Sequence, residues 1–248
     1  MWVCAEAFHE PKKGLTEEQY EDAFFPEQVF RRDLRSFRCA VADGATESVF
    51  SREWALLLVR AFGRGKLRIK HLQQAWNRAV RDRSGSSGAW YVQQKKAAGA
   101  FAALIGLSFH DRSNGVPGGT WRALAVGDSC FFQVRNEKLV TSGPITNAAD
   151  FGNNPYLVAT NKMGPLKRGQ PHVDVMSGTW ECRDSFYLCS DALAQWICEE
   201  IAQGRPPWQL LREIGGEGVA PFPQIVTLLR EKHGMKNDDT TLLRVEVA

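Results

Sequence analysis

Four short apolar runs in this chain stop at an aspartate with small neighbours: CAVADG at residues 39–44, LAVGDS at 124–129, YLCSDA at 187–192, and NDDTTLL at 237–243, where the acid precedes the run. A strand whose body is apolar and whose mouth is charged fits only where its length is buried and its end opens to a cleft. A single Asp-Gly or Gly-Asp-Ser is by itself a turn or a helix cap. Repeated on several strands, it places Asp43, Asp128, Asp191 and either Asp238 or Asp239 along one edge if those strands share a sheet.

The rest of the chain gives the layers. WVCAEAF and SFRCAVADG read as strands, and a helix follows with Glu47 in its first turn and Trp54, Ala55, Leu58, Val59 and Phe62 at helical spacing up to Gly63. A second helix covers LRIKHLQQAWNRAVRD, with Leu67, Ile69, Leu72, Ala75, Trp76 and Ala79 as its stripe, and RSGSSG is a loop. AFAALIGLSFHD is a buried strand and NGVPGG a turn. WRALAVGDSCFFQVR is one or two strands broken at Gly127-Asp128, and RNEKLV closes a hairpin. Residues 142–179, rich in Gly, Pro and Asn, form long irregular surface segments near the site. A strand running into a helix (DSFYLCSDALAQWICEEI), two helices (PPWQLLREI, PQIVTLLREKH) and a closing strand complete the chain. Helices come in pairs and strands come as neighbours, which predicts an α+β fold of antiparallel sheets flanked by helices rather than an alternating parallel one. The expectation is a single domain over 1–248.

Composition excludes several classes. A net charge of +3 with scattered basic residues argues against a nucleic-acid partner, and no apolar run is long enough to cross a bilayer. Six cysteines without a CxxC pair, several inside apolar runs, fit a reducing cytoplasm. The N-terminus lacks the pattern of a signal peptide. The glycine-rich NGVPGG and IGGEG do not lead a strand into a helix with Lys-Ser/Thr, which argues against a nucleotide cradle. Ser51, Ser129 and Ser190 lack a triad order, and the tryptophans read as core.

Converging carboxylates raise one another's pKa unless a cation sits among them. Lys and Arg are absent from the four junctions, so the expected counter-charge is a metal. All-oxygen ligands favour Mg²⁺ or Mn²⁺, and the five histidines lie away from the junctions, which argues against zinc. Two such ions about 3.5–4 Å apart are able to activate a water for attack on phosphorus.

With these motifs in place, the chain resembles the protein phosphatase 2C family of metal-dependent Ser/Thr phosphatases, over nearly its whole length. YEDAFF resembles the early acidic pair, VADGATES the Asp-Gly motif, AVGDSCFF the Gly-Asp-Ser motif, LCSDALAQW the Ser-Asp-Gly motif, and NDDTTLLRVEV the terminal Asp-Asn-x-Thr strand. The resemblance implies a four-layer α-β-β-α sandwich of two stacked antiparallel sheets. It implies catalytic roles for Asp43 and Asp22, with Glu21 as the other outer carboxylate. The implied metal ligands are Asp43, the Gly44 carbonyl, Asp191, Asp238 in preference to Asp239, Asp22, and Asp128 at a third, weaker position. The implied cofactor is two Mn²⁺ or Mg²⁺ ions with a possible third. The implied partner is a phosphorylated protein opposed by a Ser/Thr kinase, and the protein is expected to be a monomer. Ala45, Ala192 and Cys130 stand where many members carry His, Gly and Arg, and the phosphate-holding basic residue before the acidic pair is missing; Lys12, Lys13 and Arg52 are the substitutes to weigh. The alternative readings are a pseudophosphatase that binds phosphoproteins or kinases without turnover, and a phosphatase for small metabolites.

Overall fold

A computed structural model describes residues 1–45, 50–83, 99–112, 118–152, 155–160 and 172–248, with side chains of 80–83 excluded. The expectations for Glu47, the RSGSSG loop beyond Arg83, Trp90 and most of NGVPGG lie outside the described residues.

Two six-stranded sheets stack face to face. One orders β3 (Phe30–Asp33), β1 (Trp2–Glu10), β12 (Thr240–Val247), β11 (Asp184–Cys189), β7 (Cys130–Arg135) and β8 (Lys138–Gly143). The other orders β10 (Asp174–Trp180), β6 (Gly119–Val126), β5 (Phe101–Asp111), β4 (Ser36–Gly44) and β2 (Ala23–Phe25), with β9 (Val158–Ala159) also on β5. Every pairing is antiparallel. Helices α1 (Ser51–Gly63) and α2 (Ile69–Arg83) cover the second sheet, and α3 (Asp191–Ala202), α4 (Trp208–Glu213) and α5 (Phe222–Lys232) cover the first. The expected α-β-β-α sandwich is the observed one.

Strand periodicity assigns each side chain its layer. On β4, Phe37, Cys39 and Val41 enter the core between the sheets, while Ala40 and Ala42 face α1. On β5, Ile105, Leu107 and Phe109 point inward and Ala102 and Leu104 point to the helices, which is why this run is apolar without alternation. Gly106 is also fixed by packing: a Cβ there would lie 2.6 Å from the Phe62 ring. α1 buries Trp54, Ala55, Leu58, Val59 and Phe62, as its spacing predicts. On α2 the stripe narrows, with Trp76 buried against Trp54 and Ala75 and Ala79 exposed.

One expectation changes. Of the stretch 142–179 expected to be irregular, 174–179 belong to β10, paired with β6 along its length, 142–143 end β8 and 158–159 form β9, while 153–154 and 161–171 lie outside the described residues. β2 and β3, unforeseen in the sequence, add edges to each sheet. Among the described residues no helix is long and apolar enough to cross a membrane.

Candidate metal centre

The strand ends deliver the acids as the sequence pattern implies. Asp43 is the penultimate residue of β4, Asp128 sits in the turn from β6 to β7, Asp191 opens α3 directly after β11, and Asp238 precedes β12. Register aligns the ends: Val126 pairs with Leu104 and Asp43 with Ala103 in one sheet, and Cys189 pairs with both Cys130 and Leu242 in the other. Asp22, just before β2, joins from the edge.

The electrostatics register this convergence. Burial drives the Asp43 carboxyl well above the ordinary carboxylate range, and the charges of Asp22, Asp191, Asp128 and Asp238 push it further. Burial likewise raises Asp22, with Asp239 adding to the effect and a hydrogen bond from Thr241 opposing it. Burial, then the Asp191 charge, lifts Asp128 to about 7. These are acids in want of a cation.

Asp22 is held in detail. Its Oδ2 accepts a hydrogen bond from Thr241 Oγ1 at 2.6 Å, and Thr241 Oγ1 in turn bonds the buried Tyr20 hydroxyl. Its Oδ1 is buried without a partner, an orphan that normally costs roughly 1–3 kcal/mol or more for a charged group. The Glu21 carboxylate, by contrast, accepts from Ser51 Oγ on α1. Gly44 faces the Glu21 carbonyl so closely that a Cβ would fall 2.6 Å from its oxygen.

Asp238 and Asp239 differ in their partners. Asp239 accepts from the backbone N–H groups of Lys12 (2.8 Å) and Glu21 (2.7 Å), so it straps the N-terminal segment to β12. Asp238 instead faces Asp191 across a lysine. Lys236 Nζ lies 2.9 Å from Asp191 Oδ2 and 3.0 Å from Asp238 Oδ2. This corrects the expectation that no Lys or Arg reaches the junctions: a lysine two residues before the acid folds back onto it. Among the substitutes for the missing basic residue, Lys12 comes within 3.7 Å of Asp238 Oδ1, Lys13 pairs with Glu231, and Arg52 donates to the Glu17 carbonyl while its guanidinium lies over the Tyr20 ring. Ser190 caps α3 without a side-chain bond to it; its hydroxyl instead accepts from Thr241 N at 2.9 Å.

Among the described residues, no three His, Cys, Asp or Glu side chains close on one point as an assembled metal site. The donor set nonetheless fits hard divalent cations: oxygen only, crowded with negative charge, and holding one orphaned buried oxygen. Beside Asp128 opens a cleft of about 190 Å³ lined by Asp150, Tyr156, His172 and Asp174, which brings parts of the 142–179 segment to the site.

No family profile matches the chain, and no curated protein is similar to it in sequence. Solved structures are similar in fold. The serine/threonine phosphatase PstP/Ppp of Mycobacterium tuberculosis aligns over 100% of this chain and 99% of its own, with a TM-score of 0.54 and 15% identity. PppA, a regulatory component of the type VI secretion system of Pseudomonas aeruginosa, aligns over 100% and 99% at a TM-score of 0.53 and 17% identity. The PPM Ser-Thr phosphatase MsPP of Mycobacterium smegmatis, solved with cacodylate, aligns over 98% and 97% at 0.53 and 16%. The fold is the one these phosphatases share.

Proposed function

We propose that this protein is a metal-dependent phosphatase acting on phosphoserine or phosphothreonine in proteins. The observation that carries the reading is the gathering of Asp22, Asp43, Asp128, Asp191 and Asp238 from both sheets, where burial and the neighbouring acids oppose the ionisation of Asp22, Asp43 and Asp128. Asp43, Asp191, Asp238, Asp22 and the Gly44 carbonyl would hold Mn²⁺ or Mg²⁺, with Asp128 at a third position. When bound, such ions supply Lewis-acid activation of water for attack on phosphorus.

The chain's own residues position the rest. Thr241 and Tyr20 fix Asp22, and Asp239 holds the Glu21 backbone beside Gly44. Lys12 stands nearest to Asp238 among the substitutes for the missing phosphate-holding residue, and the cleft beside Asp128 receives the polypeptide around the phosphorylated residue. The proposed partner is therefore a phosphoprotein, the product of a Ser/Thr kinase. The proposed setting is a monomer in the reducing cytoplasm, where six unpaired thiols are stable.

Hydrolysis of an aryl phosphate with Mn²⁺, compared with EDTA and with Asp43→Asn, tests this. The expected result is activity lost by at least about a hundredfold in both controls; activity indifferent to both refutes it. A second reading, a phosphoprotein-binding module without turnover, draws on the lysine already lying between Asp191 and Asp238. Phosphopeptide binding with no metal-dependent release of phosphate would select it.

A further inference from the structure

Lys236 sits in the link between α5 and β12, and that link is pinned on both sides of it. Met235 is buried in the helix-side core and its N–H donates to the Leu229 carbonyl at 3.2 Å, while Asn237 Oδ1 accepts from Lys13 N at 2.8 Å. The backbone therefore fixes where the lysine stem starts. The stem ends with its ammonium shared between Oδ2 of Asp191 and Oδ2 of Asp238. The two carboxylates are partly buried and the lysine side chain is about half exposed, so the stem has room to carry the ammonium away from the acids.

These are two of the oxygen donors assigned above to a divalent ion. An ammonium satisfies them with hydrogen bonds and one unit of charge; a divalent ion takes them by coordination with two units, and one position cannot hold both. Resting on the metal-dependent reading, we infer that Lys236 is a built-in competitor for the metal: it holds Asp191 and Asp238 together in the metal-free protein and swings to solvent when the ion enters. The metal affinity of the chain is then lowered by whatever the ammonium contributes to the two acids. Metal loss leaves the two acids sharing one positive charge in place of a bare repelling pair.

The test is Mn²⁺ titration by calorimetry of the full chain, without substrate, for wild type, Lys236→Met, Lys236→Gln and Lys236→Arg. Loss of the ammonium is expected to tighten Mn²⁺ binding about tenfold, the equivalent of ~1.4 kcal/mol, in both neutral variants, with circular dichroism confirming the fold of each. The same variants are expected to melt below wild type in EDTA and to gain more from added Mn²⁺. Lys236→Arg, which keeps the charge, is expected to stay within about threefold of wild type. Equal or weaker Mn²⁺ binding by both neutral variants, beside a wild type that binds, overturns the competition and leaves the metal reading standing. Failure of every form to bind Mn²⁺ overturns both. Binding by the neutral variants alone supports the competition in its strongest form, a lysine that has taken the place of the ion.

Discussion

The contact between Gly44 and Glu21 makes a quantitative test of how the site is assembled. In Gly44→Ala the new Cβ would sit 2.6 Å from the Glu21 carbonyl oxygen and 3.0 Å from Ser51 Cβ. Carbon contacts are comfortable near ~3.5 Å, so roughly 1 Å of overlap must be relieved against backbone on one side and the start of α1 on the other. Neither is a free side-chain end. Overpacking of this kind costs about 1–3 kcal/mol, and at this chain length each kcal/mol lowers the melting temperature by about 2–4 °C, so a drop of about 2–12 °C is expected. The larger effect is local, because Glu21 moves with its neighbour Asp22, and a misplacement of about 1 Å at a reacting centre is worth about a hundredfold in rate. Differential scanning fluorimetry and aryl phosphate hydrolysis with Mn²⁺ at 20 °C, well below melting, read the two effects separately. Gly152→Ala, where a Cβ meets nothing within 4 Å, serves as the stability control and should stay within about ±0.5 kcal/mol. A Gly44→Ala protein with wild-type melting and wild-type rate refutes the argument, since it means the Glu21 carbonyl does not bear on Gly44.

Two further outcomes follow from other parts of the molecule. In the metal-free protein Asp128 ionises near 7, against 3.8 for an ordinary aspartate, so between those values the folded state holds a proton that the unfolded state has lost. Stability then falls as pH rises through that window, by on the order of 4 kcal/mol; Asp128→Asn should flatten the fall in EDTA melts from pH 4 to 8, and an unchanged slope would assign it to other groups. Far from the site, buried Asp184 accepts from Arg135 Nε (2.7 Å) and Nη2 (2.8 Å) and from Gln133 Nε2 (2.7 Å). Asp184→Ala strands these donors and should cost on the order of 3–5 kcal/mol in urea denaturation while leaving kcat at 20 °C unchanged; a small cost would mean that the donors find water instead.

What the sequence made legible follows the length and period of each element. β4, β5 and α1 are long enough for spacing to declare both the element and its buried face. β2 and β3 have three and four residues, too few for a period of two to show, and β3 reads Phe-Arg-Arg-Asp. β10 resembles a loop because Ser177 and Gly178 interrupt it, yet Gly178 is there to seat the Trp121 ring, whose atoms would lie 2.6 Å from a Cβ. The carboxylates were visible because each ends an apolar run. Tyr20 and Thr241 were not, since a hydrogen bond across 221 positions leaves no local trace. Lys236 was missed for a related reason: a lysine in a polar link is ordinarily solvated, and only the fold turns it back onto Asp238.

The place of β12 between β1 and β11 sets a timetable for synthesis. Until it arrives, its sheet exists only as two halves, β3-β1 and β11-β7-β8, each with an open edge. The same strand brings Thr241 to Asp22, and the residues just ahead of it bring Asp239 to the N–H groups of Lys12 and Glu21. At ~5–20 residues per second, roughly 10–40 s separate the translation of Asp22 from that of Asp238. A nascent chain stalled within that interval has not brought Asp22 and Asp238 together and has two sticky sheet edges to guard. A premature stop before Thr240 is therefore expected to yield a client for chaperones and proteases rather than a weakened but folded protein.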